Sequence, residues 1–352
     1  MQLYIHIPFC DSKCSYCSFN SYVDKFELKS DYMRTLHRQL LHELERFQAT
    51  PKALRSIFIG GGTPSTVAPY LYKEIFKTLR PFMACECEVT TEANPNSATH
   101  EWLSGMYALG VNRVSFGVQS FDDKKLKLLH RAHSPFQAIK AINSAADIGF
   151  KNISCDLIYA TYGDTQELLK HDLDIAFSLP INHISAYALT IESGTAFSEK
   201  PQMACETLEL TKWLFGEIEA HGFSQYEISN FGSYQSLHNK GYWEYRDYLG
   251  VGCGAVGKLE NKRYYPKTNI EEYLNDPLDI EVEELSDEDI KTEKIFLGLR
   301  SNIGLSREIL TSKEIERAEL LAREGKLTSD AGRYFNKEYL LSDELALFIQ
   351  EY

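Results

Sequence analysis

Leu3, Ile5 and Ile7 open the chain with apolar residues at every second position, the period of a half-buried strand. Comparable short apolar runs recur at 56–59, 88–92, 113–118, 152–158 and 183–189. The stretches between them carry helical spacing. The clearest is 30–47, where Tyr32, Leu36, Leu40, Leu44 and Phe47 line one face. Strand and helix alternating six times define βα units and a parallel sheet. The pattern predicts an α/β fold, an incomplete parallel (β/α)6 barrel with its site at the C-terminal strand ends.

The alternation fades after about residue 197. One more helix is expected at 207–221, and 224–258 is rich in aromatic residues and glycine. An acidic run (Glu281, Glu283, Glu284, Asp287, Glu288, Asp289) marks a boundary near Ser286. Beyond it, 290–299 and 313–324 read as helices, with Gly325 as a C-cap. Residues 326–341 suit a small hairpin, and Ser342 suits the cap of a last helix reaching 352. Three units are therefore expected: a partial barrel at 1–223, a connecting region at 224–284, and a small winged-helix-like α+β domain at 285–352.

With 352 residues, 43% apolar and 25% charged, the chain has the make-up of an ordinary globule with one large core and a small appended domain. A formal charge of −13 argues against nucleic acid as a partner, for the winged-helix-like part as well. No apolar run approaches the roughly 20 residues that span a bilayer. The first strand begins almost at Met1, so no targeting segment is expected and the expected location is the cytoplasm.

Directly after the first strand stand Cys10, Cys14 and Cys17, spaced C-x3-C-x2-C. Eight irregularly placed cysteines in a chain of this length, with no secretory signal, do not form a disulfide framework. Three thiolates are too few for a closed four-ligand zinc site. They suit a four-iron cluster with three irons held by Cys and one open to a ligand. Zinc remains an alternative if His6 or a distant residue completes the set, as do plain thiols in a reducing compartment. Asp11, Ser12, Lys13 and Ser15 make the loop too polar to bury all three. Cys85 and Cys87 read as plain thiols at a strand start. Gly60-Gly61-Gly62-Thr63-Pro64 ends the second strand, where glycine admits close backbone approach or, more simply, a tight turn.

Together these residues resemble the radical S-adenosylmethionine (SAM) superfamily, most closely its oxygen-independent coproporphyrinogen III oxidase family. The markers are Tyr4-Ile5-His6-Ile7-Pro8-Phe9-Cys10, the cysteine triplet with Tyr16, and Gly60–Pro64. Thr91-Glu92-Ala93-Asn94-Pro95, Ser115–Phe121 and Asp156-Leu157-Ile158-Tyr159 continue the series. The resemblance implies a [4Fe-4S] cluster on the three cysteines, with SAM chelating the open iron and split by an electron from the cluster. It further implies that Gly61, Gly62 and Thr63 line SAM, that Tyr4 and Tyr16 pack nearby, and that Glu92 binds SAM. Gln119, Arg131 and Asp156 would contact the family's second ligand position. Strand-end polar residues facing water are the plain alternative for Glu92, Gln119 and Asp156. Arg131 could be a surface charge, set apart only by its place in the helical stretch 129–133.

Two departures separate the chain from the oxidase branch. Phe19 stands where that branch carries a fourth cysteine, and the oxidase's N-terminal extension is missing. Both match the sister branch of HemW-type haem chaperones. His238-Asn239-Lys240-Gly241-Tyr242-Trp243 resembles that branch's H-N-x-x-Y-W motif, and imidazole beside flat rings suits haem. A capping His with two core aromatics is the plain reading of the same residues. Cys253, in a glycine-rich stretch after this motif, is a weaker candidate for a haem thiolate. Ala160-Thr161-Tyr162 replaces the family's usual Gly-Leu-Pro, which leaves that loop's conformation open. The expected function is a haem carrier that binds [4Fe-4S], SAM and haem. It would deliver haem to acceptors such as respiratory enzymes, in part at the inner membrane, with a homodimer implied by resemblance. The alternatives are the oxidase itself and a radical-SAM enzyme with another substrate.

Overall fold

The computed structural model describes residues 1–350. Six βα units build the first part: β1 (Gln2–Ile7), α1 (Lys29–Arg46), β2 (Leu54–Gly61), α2 (Lys73–Leu79), β3 (Met83–Ala93) and α3 (His100–Leu109). They continue through β4 (Arg113–Gln119), α4 (Asp123–Leu128), α5 (Pro135–Ile148), β5 (Asn152–Tyr159), α6 (Gln166–Ser178), β6 (His183–Ala188) and α7 (Leu208–Ala220). The chain goes on as β7 (Asn230–Gly232), α8 (Leu237–Trp243), β8 (Tyr248–Val251), β9 (Gly257–Leu259), β10 (Lys262–Pro266), α9 (Ile270–Asn275) and β11 (Ile280–Glu284). The last unit holds α10 (Asp287–Leu299), β12 (Leu305–Ser306), α11 (Ser312–Arg323), β13 (Leu327–Asp330), β14 (Arg333–Asn336) and α12 (Ser342–Gln350). Residues 351 and 352, assigned to the last helix from sequence, lie outside the described residues.

The helix limits follow local chemistry. Ser134 and Gln137 form a capping box before Pro135, and α5 ends at Gly149, whose φ of 115° few other residues adopt. Ser342 does not cap α12. It lies in the first turn, and its hydroxyl donates back to the Tyr339 carbonyl.

β1 to β6 are parallel neighbours in chain order within one open sheet of eleven strands. Among the described residues no closed barrel forms. Residues 224–284 are not a mere connection, because they extend this sheet at both edges. β7 runs antiparallel beside β6, while β8 joins β1 in parallel and β9, β10 and β11 follow antiparallel. Half of the acidic run at 281–289 is therefore an edge strand. Glu283 and Glu284 face Arg263 and Lys262 across β10, and charge on an edge discourages further pairing.

Strand alternation gives the parallel sheet two unlike faces. Leu3, Ile5, Ile7, Ile57, Ile59, Val114, Phe116, Val118, Ile153 and Ile184 point toward the helices and are buried with Leu36, Leu40, Phe76, Met106 and Ile142. The opposite face carries Gln2, Tyr4, His6, Ser56, Glu88, Thr90, Glu92, Arg113, Ser115, Ser154, Asp156, His183 and Ser185. In register, Glu92 lies beside Ser115, and Asp156 beside both Gly117 and Ser185. The curved sheet thus encloses a polar lumen. Ile295, Leu299, Leu305, Leu321, Leu327 and Ile349 form a separate small core, where three helices pack on a three-stranded antiparallel sheet in winged-helix style. Among the described residues no helix is long and apolar enough to cross a membrane.

Candidate functional site

At the C-terminal ends of the parallel strands the lumen opens into a cavity of about 390 Å³, within the usual range for small-molecule sites. Cys10, Cys14, Tyr16, Cys17, Gly61, Gly62, Thr63, Glu92, Gln119, Arg131 and Asp156 all line it. Tyr4 and His238 do not. The cysteine loop is pinned from both sides. The Cys10 amide donates to the Tyr22 carbonyl at 3.0 Å, the Tyr22 amide to Pro8 at 2.7 Å, and the Ser15 amide to Leu129 at 3.3 Å. Cys10 is buried, whereas Cys14 and Cys17 are partly open, in keeping with the loop's polarity.

Arg131 joins this loop to the sheet. It is not in a helix but in the turn between α4 and α5. Its Nη1 donates to Cys14 Sγ at 3.1 Å, and its Nη2 to Asn94 Oδ1 at 2.7 Å and the Gly117 carbonyl at 2.6 Å. Asn94 was not singled out from sequence beyond its motif. Its Nδ2 donates to Thr63 Oγ1 at 3.1 Å, and that hydroxyl donates to Cys10 Sγ at 3.3 Å. One chain of polar contacts therefore runs Cys14–Arg131–Asn94–Thr63–Cys10.

Two carboxyl groups sit deeper. Glu92 Oε2 accepts from the Gly61 amide at 3.1 Å. Burial, reinforced by the neighbouring Asp156, pushes its pKa up to about 8. Burial also raises Asp156, against hydrogen bonds that include Ser115 Oγ at 3.0 Å and Ser154 Oγ at 3.2 Å. A register shift between Gly117 and Gln119, with Gln119 at φ 69°, turns that side chain into the cavity. Gly61 has no alternative: its φ is 107° and an added Cβ would lie 2.4 Å from the His6 ring. Tyr4 acts from below, its hydroxyl 2.9 Å from His6 Nδ1, while His6 Nε2 lies 2.8 Å from the Asn20 carbonyl. With both ring nitrogens engaged, His6 is not available as a fourth metal ligand.

The donor set fits an iron–sulfur cluster with a zwitterionic ligand. Three thiols on one loop suit iron. Two recessed carboxyls suit a cation, and Arg131, whose Nε is buried without a partner, offers a donor for an anion. Among the described residues no three His, Cys, Asp or Glu side chains are gathered around one metal-ion position. Corner ligands of a multi-iron cluster need not be.

His238 lies elsewhere. The α8 helix closes the opposite end of the lumen, with His238 Nδ1 at 3.0 Å from Ser56 Oγ and Nε2 at 3.1 Å from the Tyr242 hydroxyl. Ser56 and Gly60 are four residues apart on β2, so roughly 13 Å separates the two levels. Burial, then Arg113, holds the His238 pKa down at about 3. Glu88 fixes the helix start, accepting from the Leu237 and His238 amides at 2.9 and 3.0 Å and from the Tyr234 hydroxyl at 2.7 Å. In this arrangement the motif reads as a buried capping segment, and His238 has no free nitrogen for iron. Cys253 is likewise buried, its thiol donating to the Thr268 carbonyl at 2.9 Å.

The loop at 160–162 has a defined geometry. Ala160 takes φ 59°, a left-handed conformation that favours glycine, and its carbonyl accepts from the Cys205 amide at 2.7 Å. Tyr162 is exposed, and its amide donates to Met203 at 2.9 Å.

Fold and site define a radical SAM protein. The Radical SAM superfamily model matches residues 4–176. The structure of the Escherichia coli coproporphyrinogen III oxidase HemN aligns with a TM-score of 0.83 at 20% identity, covering 100% of this chain and 90% of that one. Curated relatives narrow the class. The Bacillus subtilis heme chaperone HemW is 33% identical, covering 88% of this chain and 86% of its own length. Its Haemophilus influenzae and Escherichia coli namesakes are 40% and 37% identical, covering 74% of this chain and 70% of theirs. The chain belongs to the HemW family of the radical SAM superfamily. Membership of that superfamily implies a [4Fe-4S] cluster and SAM.

Proposed function

We propose that this protein is a haem carrier that binds a [4Fe-4S] cluster, SAM and haem and passes the haem to acceptor haemoproteins. The observation that supports this most is the identity of 33% over 88% of the chain with a relative named heme chaperone HemW. Phe19 agrees with it. This side chain is 65% exposed on the cavity rim, where the oxidase branch has a cysteine.

In this reading Cys10, Cys14 and Cys17 hold the cluster. When bound, cluster and SAM together supply one-electron chemistry at the sulfonium. Thr63 and Arg131 orient Cys10 and Cys14, and Arg131 keeps Asn94 against the glycine turn. Gly61, Gly62 and Tyr16 shape the wall, while Glu92, Gln119 and Asp156 face the bound ligands. Glu92 releases its proton to meet a cation. Tyr4 fixes His6 beneath the glycine turn. Acceptors at the respiratory membrane, a cytoplasmic location and a cofactor-stabilised homodimer belong to the same proposal.

The test is anaerobic reconstitution followed by haem titration, with a parallel assay of coproporphyrinogen III turnover in the presence of SAM and a reductant. Haem is expected to bind with a Soret shift and without turnover. Sustained SAM-dependent decarboxylation would overturn the carrier reading in favour of the oxidase. Cys14→Ala should lose the absorbance near ~400 nm expected of a Cys-ligated cluster. A variant that keeps it removes Cys14 from the ligand set.

A further inference from the structure

A second cavity of about 380 Å³ lies at the other edge of the sheet, between α8, β8, β10 and α10. Tyr248 in its wall pairs with Gln2, at the N-terminal end of β1. The cysteine loop follows the C-terminal end of that same strand, so the two cavities open at opposite ends of the sheet.

Its wall has two components. Tyr242, Tyr245, Tyr248 and Phe296 supply ring surface, with Tyr242 and Tyr248 packed edge to face at 4.8 Å between centroids. Arg246, Lys258, Arg263 and Arg300 supply positive charge, and among the described residues Glu293 is the one carboxylate in the wall. All four cations are held by carboxylates: Arg246 by Glu244, Lys258 by Asp247 at 2.8 Å, Arg263 by Glu293, and Arg300 through Nε and Nη2 by Asp343, so an incoming carboxylate would share or replace these partners. Lys258 Nζ also sits 4.3 Å over the Tyr245 ring. Tyr245 has φ 60°, a conformation an aromatic residue adopts at a cost and one that clusters at ligand sites. Its hydroxyl is fixed by Glu293 at 2.6 Å.

Flat rings beside several cations fit a planar aromatic molecule with carboxylates on its edge. A nucleotide fits less well. The wall takes the middle and C-terminal end of α10 with Arg300, which caps it, and so offers no helix N-terminus for phosphate. We propose that this cavity is the tetrapyrrole site, in which the aromatic side chains face the macrocycle and Arg263 and Arg300 receive its propionates. The assignment rests on the haem-carrier reading and gives it a location, remote from the cluster and SAM. Among the described residues no His, Cys or Met lines the cavity, and the Tyr242 and Tyr245 hydroxyls are already held by His238 and Glu293. Iron ligation therefore contributes little there, and metal-free porphyrin should bind almost as well as haem.

The test titrates the full chain with haemin by absorbance and with protoporphyrin IX by fluorescence. The wild type is compared with Arg263→Glu/Arg300→Glu and with Phe296→Trp. The double variant is expected to weaken both ligands at least about tenfold, the loss of charge-assisted bonds, and to leave the reconstituted cluster absorbance unchanged. Phe296→Trp should fold as the wild type does and gain a fluorescence signal that either porphyrin quenches. Unchanged affinities in the double variant, with the introduced indole left unquenched, would overturn the location while leaving haem carriage intact. Displacement of protoporphyrin by an equal concentration of ATP would overturn the ligand class. A wild-type chain that binds neither porphyrin would instead overturn the carrier reading itself.

Discussion

Glu92→Gln isolates one buried acid of the cluster cavity. In the folded chain Glu92 has a pKa of about 8 against an ordinary 4.5, because burial and Asp156 disfavour its anion. The folded state therefore holds a proton that the unfolded state has released between those two pH values. The sign follows: this group's contribution to stability is full below pH 4.5 and is lost as pH rises through 8. Integrating the linkage gives a loss of about 2 kcal/mol between pH 6 and pH 8. Glutamine keeps the shape and cannot titrate. Urea unfolding of the cluster-free chain at pH 6, 7 and 8 should show the wild type losing that amount relative to Glu92→Gln. SAM binding should show the converse. A cation requires the carboxylate, so affinity should rise roughly fiftyfold over the same interval in the wild type and stay nearly flat in the variant. Parallel stability curves for the two proteins would refute the raised pKa. A flat affinity profile in the wild type would separate Glu92 from the cationic ligand.

Glu88→Ala would leave the Tyr234 and Ser236 hydroxyls and the Leu237 and His238 amides without their buried acceptor. A cost of about 3–5 kcal/mol is expected, read as a lower urea midpoint at constant slope. A loss below about 1 kcal/mol would mean that water or another group satisfies them. Tyr162→Pro removes the amide that donates to Met203. Unfolding should come about 1 kcal/mol easier, and an unchanged midpoint would show that this hydrogen bond contributes nothing.

The six strands of the parallel sheet were legible because the alternation of apolar and other residues is strong and local. The cysteine spacing and the glycine turn were legible because chemistry and backbone freedom restrict which residues can serve. β7 to β11 were not. They are three to five residues long, and their pairing depends on neighbours far away in sequence, as when Tyr248 joins Gln2. The neighbours of Arg131 have helical spacing, whereas Arg131 itself sits in a turn that carries it to Cys14. Asn94 drew no separate notice, since only folding brings it between Thr63 and Arg131.

An α/β chain with three thiols at a strand end, and the motif set of the radical SAM superfamily, can be read from the residues alone. Those features depend on composition and short-range spacing. That the H-N-x-x-Y-W segment plugs the lumen far from the thiols emerges only on folding. The same holds for the cationic, aromatic cavity at the opposite end of the sheet. Burial, hydrogen-bond partners and distances across the sheet belong to the folded chain, and His238 in a pattern of six residues carries none of them.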